Sequence, residues 1–195
     1  GKGGADGNNL RRMNTLAGGD ISWMINDEVQ QQQILQYTYP SEQEMKDANL
    51  RIIFLGYFWK VWSLIDNGNY SALRGLEIRQ EKPWEIGDPV GVTSLDEDWV
   101  AVNQMIKYLK FGFGRVADYV NEDIRNGRIT REQGISLNEK YDGLCSEKYI
   151  KSFSQYICIS VREFWEQVDR SVNEDLFVKE GIGDYKAKFK VGVGL

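Results

Sequence analysis

The sequence predicts a mainly helical protein with a few short strands. Apolar residues recur at helical spacing through most of the second half of the chain, and capping boxes precede several of these stretches. Only one run, RIIFLGYFWKVW from Arg51 to Trp62, has the continuous apolar and aromatic character of a strand. The length of 195 residues suits one domain, or one and a half.

Residues 1–19 are rich in glycine and asparagine, which predicts a flexible start or a tag remnant. Residues 20–95 are predicted to form a partial α/β segment, in which the capping box Ser41-Glu-Gln-Glu44 starts a helix before the apolar run. Because that run does not alternate, it predicts a strand near 51–59 that is buried on both faces. A buried strand needs neighbours, and this chain supplies few, which indicates a sheet whose other strands are missing.

Residues 63–78 predict a helix that is interrupted at Asn67-Gly68. Residues 96–178 are predicted to be a helical unit, and residues 179–195 a tail. Capping boxes at Thr130-Arg-Glu-Gln133 and Ser160-Val-Arg-Glu163 start two of its helices. The apolar positions expected inside this unit are Trp99, Leu109, Val120, Phe164 and Trp165.

Composition excludes several classes of function. There is no histidine, which rules out histidine-based triads, general bases and metal ligands. Cys145 and Cys158 lack the spacing of a zinc site, so no metal is expected, and both are expected to be reduced thiols of a cytoplasmic protein. The net charge of −5 argues against nucleic acid as a partner. The sequence shows no secretory leader, and its longest apolar run is too short to span a membrane.

The stretch from Lys107 to Glu132 is the predicted functional centre. Gly112 and Gly114 mark a tight corner, and Arg115 follows at a helix start, where free N–H groups attract anions. The sequence does not identify catalytic residues. The candidate substrate-binding residues are Lys107, Lys110, Gly112, Gly114, Arg115, Asp118, Arg125, Arg128 and Arg131.

Two alternatives stay open for this stretch. Its arginines either bind an anion such as a diphosphate or are solvated and paired to neighbouring carboxylates, namely Asp118, Glu122, Asp123 and Glu132. The aromatic residues Tyr108, Phe111 and Phe113 either stack on a base or sugar or belong to the core.

The segments YLKFGFGR, DIRNGRITRE and YDG, with EFWEQVDR downstream and YTYPSEQE and FLGYF upstream, carry a resemblance to a known family. They resemble the C-terminal half of the N-acetyl sugar amidotransferases, bacterial enzymes of O-antigen and flagellin-glycan biosynthesis, including pathways of the pseudaminic acid type. The resemblance runs from about Ile34 to about Phe177 and takes in the tail KFKVGVGL. Within it, Trp99-Val-Ala-Val102 and Gly91-Val-Thr93 depart from the family's pattern.

The resemblance implies the helical C-terminal portion of an α/β ATP-pyrophosphatase with a PP-loop. Such an enzyme adenylates the acetamido oxygen of a nucleotide sugar or nonulosonic acid, and ammonia from a glutaminase subunit then displaces it to give an acetamidino group. The Ser-Gly-Gly-x-Asp-Ser loop and the zinc-type cysteines of the family's N-terminal half are absent from this sequence. ATP and magnesium are therefore expected for the full-length enzyme and not for this fragment, which is expected to be inactive alone. The alternative function is a non-catalytic helical interaction module that docks a glutaminase or partner subunit.

Overall fold

The computed structural model describes residues 4–6, 20–59 and 63–193, which fall into two compact units, Gly1–Trp62 and Ser63–Leu195. The first unit contains strands β1 (Gly4–Asp6) and β2 (Arg51–Ile53), the 3₁₀ helices Ser22–Met24 and Gln31–Tyr37, and helices α1 (Glu42–Asp47) and α2 (Leu55–Phe58). The second contains helices α3 (Leu64–Ala72), α4 (Pro83–Ile86), α5 (Val100–Phe111), α6 (Arg115–Arg125), α7 (Arg131–Tyr141), α8 (Glu147–Tyr156) and α9 (Val161–Asp169), and strands β3 (Phe177–Gly181) and β4 (Asp184–Ala187). The predicted fold class, mainly α with a few short strands, is confirmed. The predicted flexible start at 1–19 lies outside the described residues, apart from β1.

The prediction of a buried strand near 51–59 is wrong. Strand β2 covers only three residues and pairs antiparallel with β1, with Ala5 opposite Ile52. The chain then turns into the four-residue helix α2, and Ile53, Leu55 and Phe58 are 63%, 70% and 65% exposed. A strand is buried on both faces only where it has neighbours and covering layers. Among the described residues β2 has a single three-residue neighbour, so Ile53 is exposed and Ile52 is only half-buried.

The core of the second unit is built on α5, α8 and α9. Apolar residues at helical spacing give each of these helices one buried face, and these faces contribute to one hydrophobic cluster in which α8 contacts both α5 and α9. Of the predicted interior positions, Leu109, Val120 and Phe164 are buried, while Trp99 and Trp165 are half-buried. The buried core residues are Ile86, Ala101, Val102, Met105, Leu109, Tyr149, Ile150, Phe164, Val168 and Phe177.

The segment 63–95 belongs to this second unit, so the division of the chain falls at residues 62 and 63 instead of the predicted 95 and 96. Helix α3 continues through the predicted interruption at Asn67-Gly68. Gly68 is buried there against Val92. A Cβ at this position would lie 2.9 Å from a methyl carbon of Val92, so a larger residue would not fit without a shift. Helix α4 contributes Ile86 to the core, and the main chain of Glu85 accepts a hydrogen bond from Ser146 N at 2.8 Å.

The predicted tail at 179–195 is corrected to a β-hairpin followed by a docked segment. Strands β3 and β4 pair antiparallel, and a bulge between Lys179 and Gly181 precedes their turn. After β4, the Phe189 ring packs edge-on against Tyr108 and Phe177, with centroid separations of 6.3 and 5.6 Å. Among the described helices, none combines the length and the apolar character that crossing a bilayer requires.

Candidate functional site

The glycine corner, residues 111–115, joins α5 to α6. Gly112 ends α5 in the left-handed conformation with φ of 78°, which a residue with a side chain rarely adopts. Gly114 has an ordinary φ of −122°, and its lack of a side chain has a different cause. A Cβ at Gly114 would lie 2.5 Å from Asp142 Oδ1. The corner is therefore tight because the Asp142 carboxylate fills the space beside it.

Asp142 caps the start of α6 from a distant part of the chain. Its Oδ2 accepts a hydrogen bond from Gly114 N at 2.7 Å, and its Oδ1 accepts one from Val116 N at 3.1 Å. Burial raises the pKa of Asp142, and the two hydrogen bonds act in the opposite direction because they favour the carboxylate. The N–H groups that the sequence assigned to a ligand anion thus already bind an anion of the protein itself.

Arg115 is directed towards the loop at 88–94. Its Nη1 donates to Thr93 Oγ1 at 2.6 Å, its Nη2 donates to Ser94 Oγ at 3.2 Å, and Nη1 lies 4.0 Å from Asp88 Oδ2. Only 15% of its side chain is exposed. The Arg115 guanidinium and the N–H groups at the start of α6 therefore have different partners, and the structure does not bring them onto one anion.

The buried carboxylate of Asp88 organises this loop, and sequence reasoning missed it. Asp88 is 4% exposed, and its Oδ1 accepts hydrogen bonds from Val90 N at 2.8 Å and Gly91 N at 3.1 Å. Its Oδ2 accepts from Thr93 Oγ1 at 3.2 Å and from Tyr119 OH at 3.4 Å. Burial, reinforced by the Asp88 charge, raises the pKa of Tyr119 and keeps it a protonated donor. The Asp88-Pro89 pair was the available signal, since aspartate before proline favours a turn.

Arg128 and Arg125 have different surroundings. Arg128 Nη1 donates to Asp123 Oδ1 at 2.8 Å, and Nη2 donates to Ser63 Oγ at 2.8 Å and to the Asp66 carboxylate. Arg128 therefore links the start of α3 to the end of α6. The Arg125 side chain is exposed, and it makes no hydrogen bond or ion pair in the part of the chain that the structure describes.

The outer side of the glycine corner carries an exposed aromatic pair. Phe111 and Phe113 are 54% and 46% exposed, and their ring centroids are 6.3 Å apart. Lys110 Nζ lies 5.4 Å from the Phe111 centroid, and Lys107 Nζ lies 4.8 Å from the Phe113 centroid. Lys107 also pairs with Asp118 at 3.0 Å. Of the two open readings for the aromatic residues, the core reading is wrong for these two phenylalanines, although it holds for the half-buried Tyr108.

A cavity of about 300 Å³ opens beside the corner, between α6, α7 and the segment at 189–192. We call it the corner cavity. Arg131 Nη2 donates to the carbonyl oxygen of Gly192 and so holds the C-terminal segment against α7. A Cβ at Gly192 would lie 2.6 Å from Ile135 Cδ1, which shows how closely the segment packs. The residues that give the cavity its chemistry are Asn121, Arg131, Asn138, Asp142 and Lys190 on the polar side and Tyr108, Phe113 and Phe189 on the aromatic side.

The corner cavity combines two cationic side chains, two carboxamides, three aromatic rings and the Asp142 carboxylate, whose oxygens already accept hydrogen bonds from Gly114 N and Val116 N. Cations bind phosphate or carboxylate oxygens, carboxamides pair with hydroxyl and amide groups, and aromatic faces pack against flat or apolar ring surfaces. This set suits a small, polar, negatively charged ring compound. The described residues contain no group of three or more His, Cys, Asp or Glu placed to hold a metal ion.

The predicted site residues fall into two groups, those at the corner cavity and those hydrogen-bonded to other parts of the protein. Gly112 and Arg131 line the corner cavity, Lys107 lies over its Phe113 ring, and Lys110 lies beside the neighbouring Phe111. Arg115 and Arg128 donate hydrogen bonds to other residues of the protein, as described above. Asn121, Asn138 and Lys190 were missed because they come from three separate segments, and no local pattern connects them.

Comparison with known proteins finds a matching family. The sequence model of the family described as "LPS biosynthesis protein WbpG-like, C-terminal domain" matches residues 89–190, just over half of the chain. The match begins in the Asp88 loop and includes the glycine corner, both sides of the corner cavity and the hairpin. No curated protein gives a significant match. The chain therefore belongs to the family of lipopolysaccharide (LPS) biosynthesis proteins that share the WbpG-like C-terminal domain.

Proposed function

We propose that this chain is the sugar-binding C-terminal part of an ATP-dependent amidotransferase. The enzyme converts the acetamido group of a nucleotide sugar or nonulosonic acid to an acetamidino group, for a surface polysaccharide or flagellin glycan. The observation that carries the proposal is the corner cavity, in which Arg131 and Lys190 lie with carboxamides and aromatic rings inside the matched domain. The family's role in LPS biosynthesis supports a sugar substrate, and the resemblance of YLKFGFGR and DIRNGRITRE to sugar amidotransferases supports the reaction.

In this proposal the cavity binds one sugar unit and fixes its orientation. Arg131 and Lys190 bind the negatively charged group of the substrate, because charge-assisted hydrogen bonds are the strongest that a protein forms with phosphate or carboxylate. Asn121 and Asn138 pair with hydroxyl or acetamido groups, since each carboxamide both donates and accepts. Phe113 packs against the ring. The volume of about 300 Å³ lies at the lower end of small-molecule sites, which suits one sugar better than a whole nucleotide sugar.

The predicted binding residues take two roles in this proposal. Lys107 and Lys110 extend the positive charge along the exposed Phe113 and Phe111 rings, where the remainder of a nucleotide sugar would lie. Arg115 and Arg128 hold the walls of the unit in place through their internal hydrogen bonds and do not contact substrate.

ATP and magnesium are assigned in this proposal to another part of the full-length enzyme, and we derive no step through them. Phosphates are usually bound by free N–H groups at helix starts. At α6 two of these groups donate to Asp142, at α7 Gln133 N donates to Thr130, and at α9 Glu163 N donates to Ser160, whereas α5 begins without a side-chain cap. ATP would be bound by another part of the enzyme, as the resemblance implies, and a glutaminase subunit would supply ammonia.

Titration calorimetry of the purified chain with a UDP-N-acetylhexosamine, a hexosamine 1-phosphate and a nonulosonic acid tests the proposal. We expect saturable binding of at least one, and Lys190→Met and Arg131→Met should each weaken it by about tenfold or more, the scale of a lost charged hydrogen bond. Lys190→Met is the cleaner variant, because Arg131 also holds Gly192. Arg162→Met is the matched control, since Arg162 is exposed and, among the described residues, pairs only with Glu166 on its own helix. Equal affinities for all three variants and the unmodified chain, or no binding of any of the compounds, would contradict the proposal.

A further inference from the structure

A second and larger cavity lies on the other side of Tyr108 and Asp142. It has a volume of about 600 Å³ and opens between the β3–β4 turn, α8, α9 and the loop at 142–145. We call it the hairpin cavity. Its floor is apolar, with the buried core residues Leu109 and Ile150 at its base. A cavity of this size with an apolar floor and a few polar groups at its edge has the usual character of a small-molecule site.

The walls of the hairpin cavity are aromatic and held in place. Trp165 packs against Phe164 at a centroid separation of 5.2 Å, and Gly183 in the hairpin turn presses on its indole. A Cβ at Gly183 would lie 2.6 Å from Trp165 Cε2, so only glycine fits at that point of the turn. Tyr185 is fixed by donating its hydroxyl hydrogen to Asp169. Both rings are therefore positioned before any ligand arrives.

The edge of the hairpin cavity carries an excess of negative charge. Glu139 and Asp184 are exposed, and neither forms an ion pair within the described part of the chain. Glu147 is balanced by Lys151 at 2.8 Å, and both oxygens of Asp142 accept hydrogen bonds from the start of α6. The corner cavity, lined by Arg131 and Lys190, has the opposite character. The two cavities thus share a wall and differ in the sign of the charge that they attract.

We propose that the hairpin cavity binds a small organic cation, a primary ammonium, amidinium or guanidinium group on an apolar body. The apolar body fills the space over Leu109 and Ile150, and the cation lies between the aromatic rings and the unpaired carboxylates of Glu139 and Asp184. Aromatic faces attract cations, most strongly where water is excluded. Carboxylates at the edge of a low-dielectric cavity add a longer-range attraction for the same sign of charge. The proposal is independent of which sugar the corner cavity binds.

Three probes of the same shape and different charge test the proposal: 2-phenylethylammonium, 2-phenylethanol and 3-phenylpropanoate. Binding to the purified chain is measured by calorimetry at low and at moderate salt. We expect the ammonium compound to bind at least about tenfold more tightly than the alcohol, the carboxylate to bind most weakly, and the preference to shrink at higher salt. Equal binding of all three probes, or no saturable binding of the ammonium compound, would overturn the proposal.

Variants and a thiol reporter locate the binding. Combining Asp184→Asn with Glu139→Gln should weaken ammonium binding by about tenfold and leave the alcohol unchanged. Asp175→Asn is the matched control, an exposed carboxylate outside the cavity. Cys145 lines the cavity and Cys158 is exposed elsewhere, so the bound ammonium compound should slow alkylation of Cys145 by iodoacetamide relative to Cys158. Binding that leaves Cys145 unprotected, or a control as weakened as the double variant, would place the cation outside this cavity and refute the inference.

Discussion

Replacing Gly114 by alanine is predicted to destabilise the second unit through a single contact. The backbone of Gly114, with φ of −122°, imposes no strain on alanine. The new Cβ would lie 2.5 Å from Asp142 Oδ1, so the carboxylate must move. Moving it lengthens the hydrogen bonds from Gly114 N and Val116 N, now 2.7 and 3.1 Å. The cost of the substitution is therefore the cost of uncapping α6.

The magnitude follows from those two hydrogen bonds. Loss of a helix N-cap costs about 0.5–2 kcal/mol, and a hydrogen bond to a charged group contributes about 1.5–3 kcal/mol. Because Asp142 is mostly buried, water replaces its contacts only in part. We expect Gly114→Ala to lower the free energy of unfolding by about 2–3 kcal/mol. Asp142→Ala should cost a similar amount, since it removes the same acceptors.

A double-mutant cycle measured by urea denaturation, with tryptophan fluorescence as the signal, tests this reasoning. Once Asp142 is alanine, Gly114→Ala displaces no carboxylate. The free energy of unfolding of the double variant should therefore lie within about 0.5 kcal/mol of that of Asp142→Ala. Gly127→Ala is the matched control. Its φ is 70° and, among the described residues other than its two chain neighbours, no atom lies within 4 Å of the added Cβ, so only backbone strain of about 1–2 kcal/mol is expected, and it should be additive with Asp142→Ala. If the losses of unfolding free energy caused by Gly114→Ala and Asp142→Ala add, displacement of the Asp142 cap is not the cause of the Gly114→Ala effect.

Two further predictions concern ion pairs. Hydrogen bonds from Lys179 and Tyr185 lower the pKa of Asp169 below its ordinary 3.8, so Asp169 stabilises the fold above that pH, and this stabilisation is lost as the pH falls through the lowered pKa. Unfolding measured from about pH 6 to about pH 3 should show a steeper loss of stability for the unmodified chain than for Asp169→Asn, and parallel curves would contradict the assignment. Arg128→Met should cost about 1–2 kcal/mol in urea denaturation, because it leaves the buried Asp123 without its partner, whereas the exposed Arg125→Met should stay within about 0.5 kcal/mol. Equal effects of the two arginine variants would show that the Arg128 network contributes no stability.

The helices could be predicted because their signals are local. The capping boxes at Ser41, Thr130 and Ser160 are formed, with N–H to side-chain oxygen distances of 3.2, 3.2 and 3.1 Å. Each capping box lies within four consecutive residues, so the sequence pattern alone identifies it. The spacing of Leu109 with its neighbours on one helix face likewise predicts burial without knowledge of the partner.

The strands and most of the site depend on distant residues, and the sequence predicted them poorly. The hairpin at 177–187 carries no Asn-Gly or Asp-Gly turn, and its strands are amphipathic only in part. Arg115 and Arg128 looked alike in sequence to Arg131, yet they are bound to Thr93 and to Ser63, 22 and 65 residues away. The sequence shows that a charged side chain needs polar partners, but it does not identify those partners. The glycine corner was therefore predictable from the sequence, whereas the hydrogen-bond partners of the nearby arginines were not.

The hydrogen bond from Arg131 to the main chain of Gly192 joins residues 61 positions apart, which has a consequence for the order of folding. Helices α5 to α9 rest mainly on neighbouring contacts and can associate early, since local contacts form with a small loss of chain entropy. One wall of the corner cavity consists of 189–192, so this wall is added only when that segment docks. We therefore expect the helical core to assemble before the corner cavity is complete. A chain shortened near Lys188 is expected to keep the helical core and to lack this wall of the corner cavity.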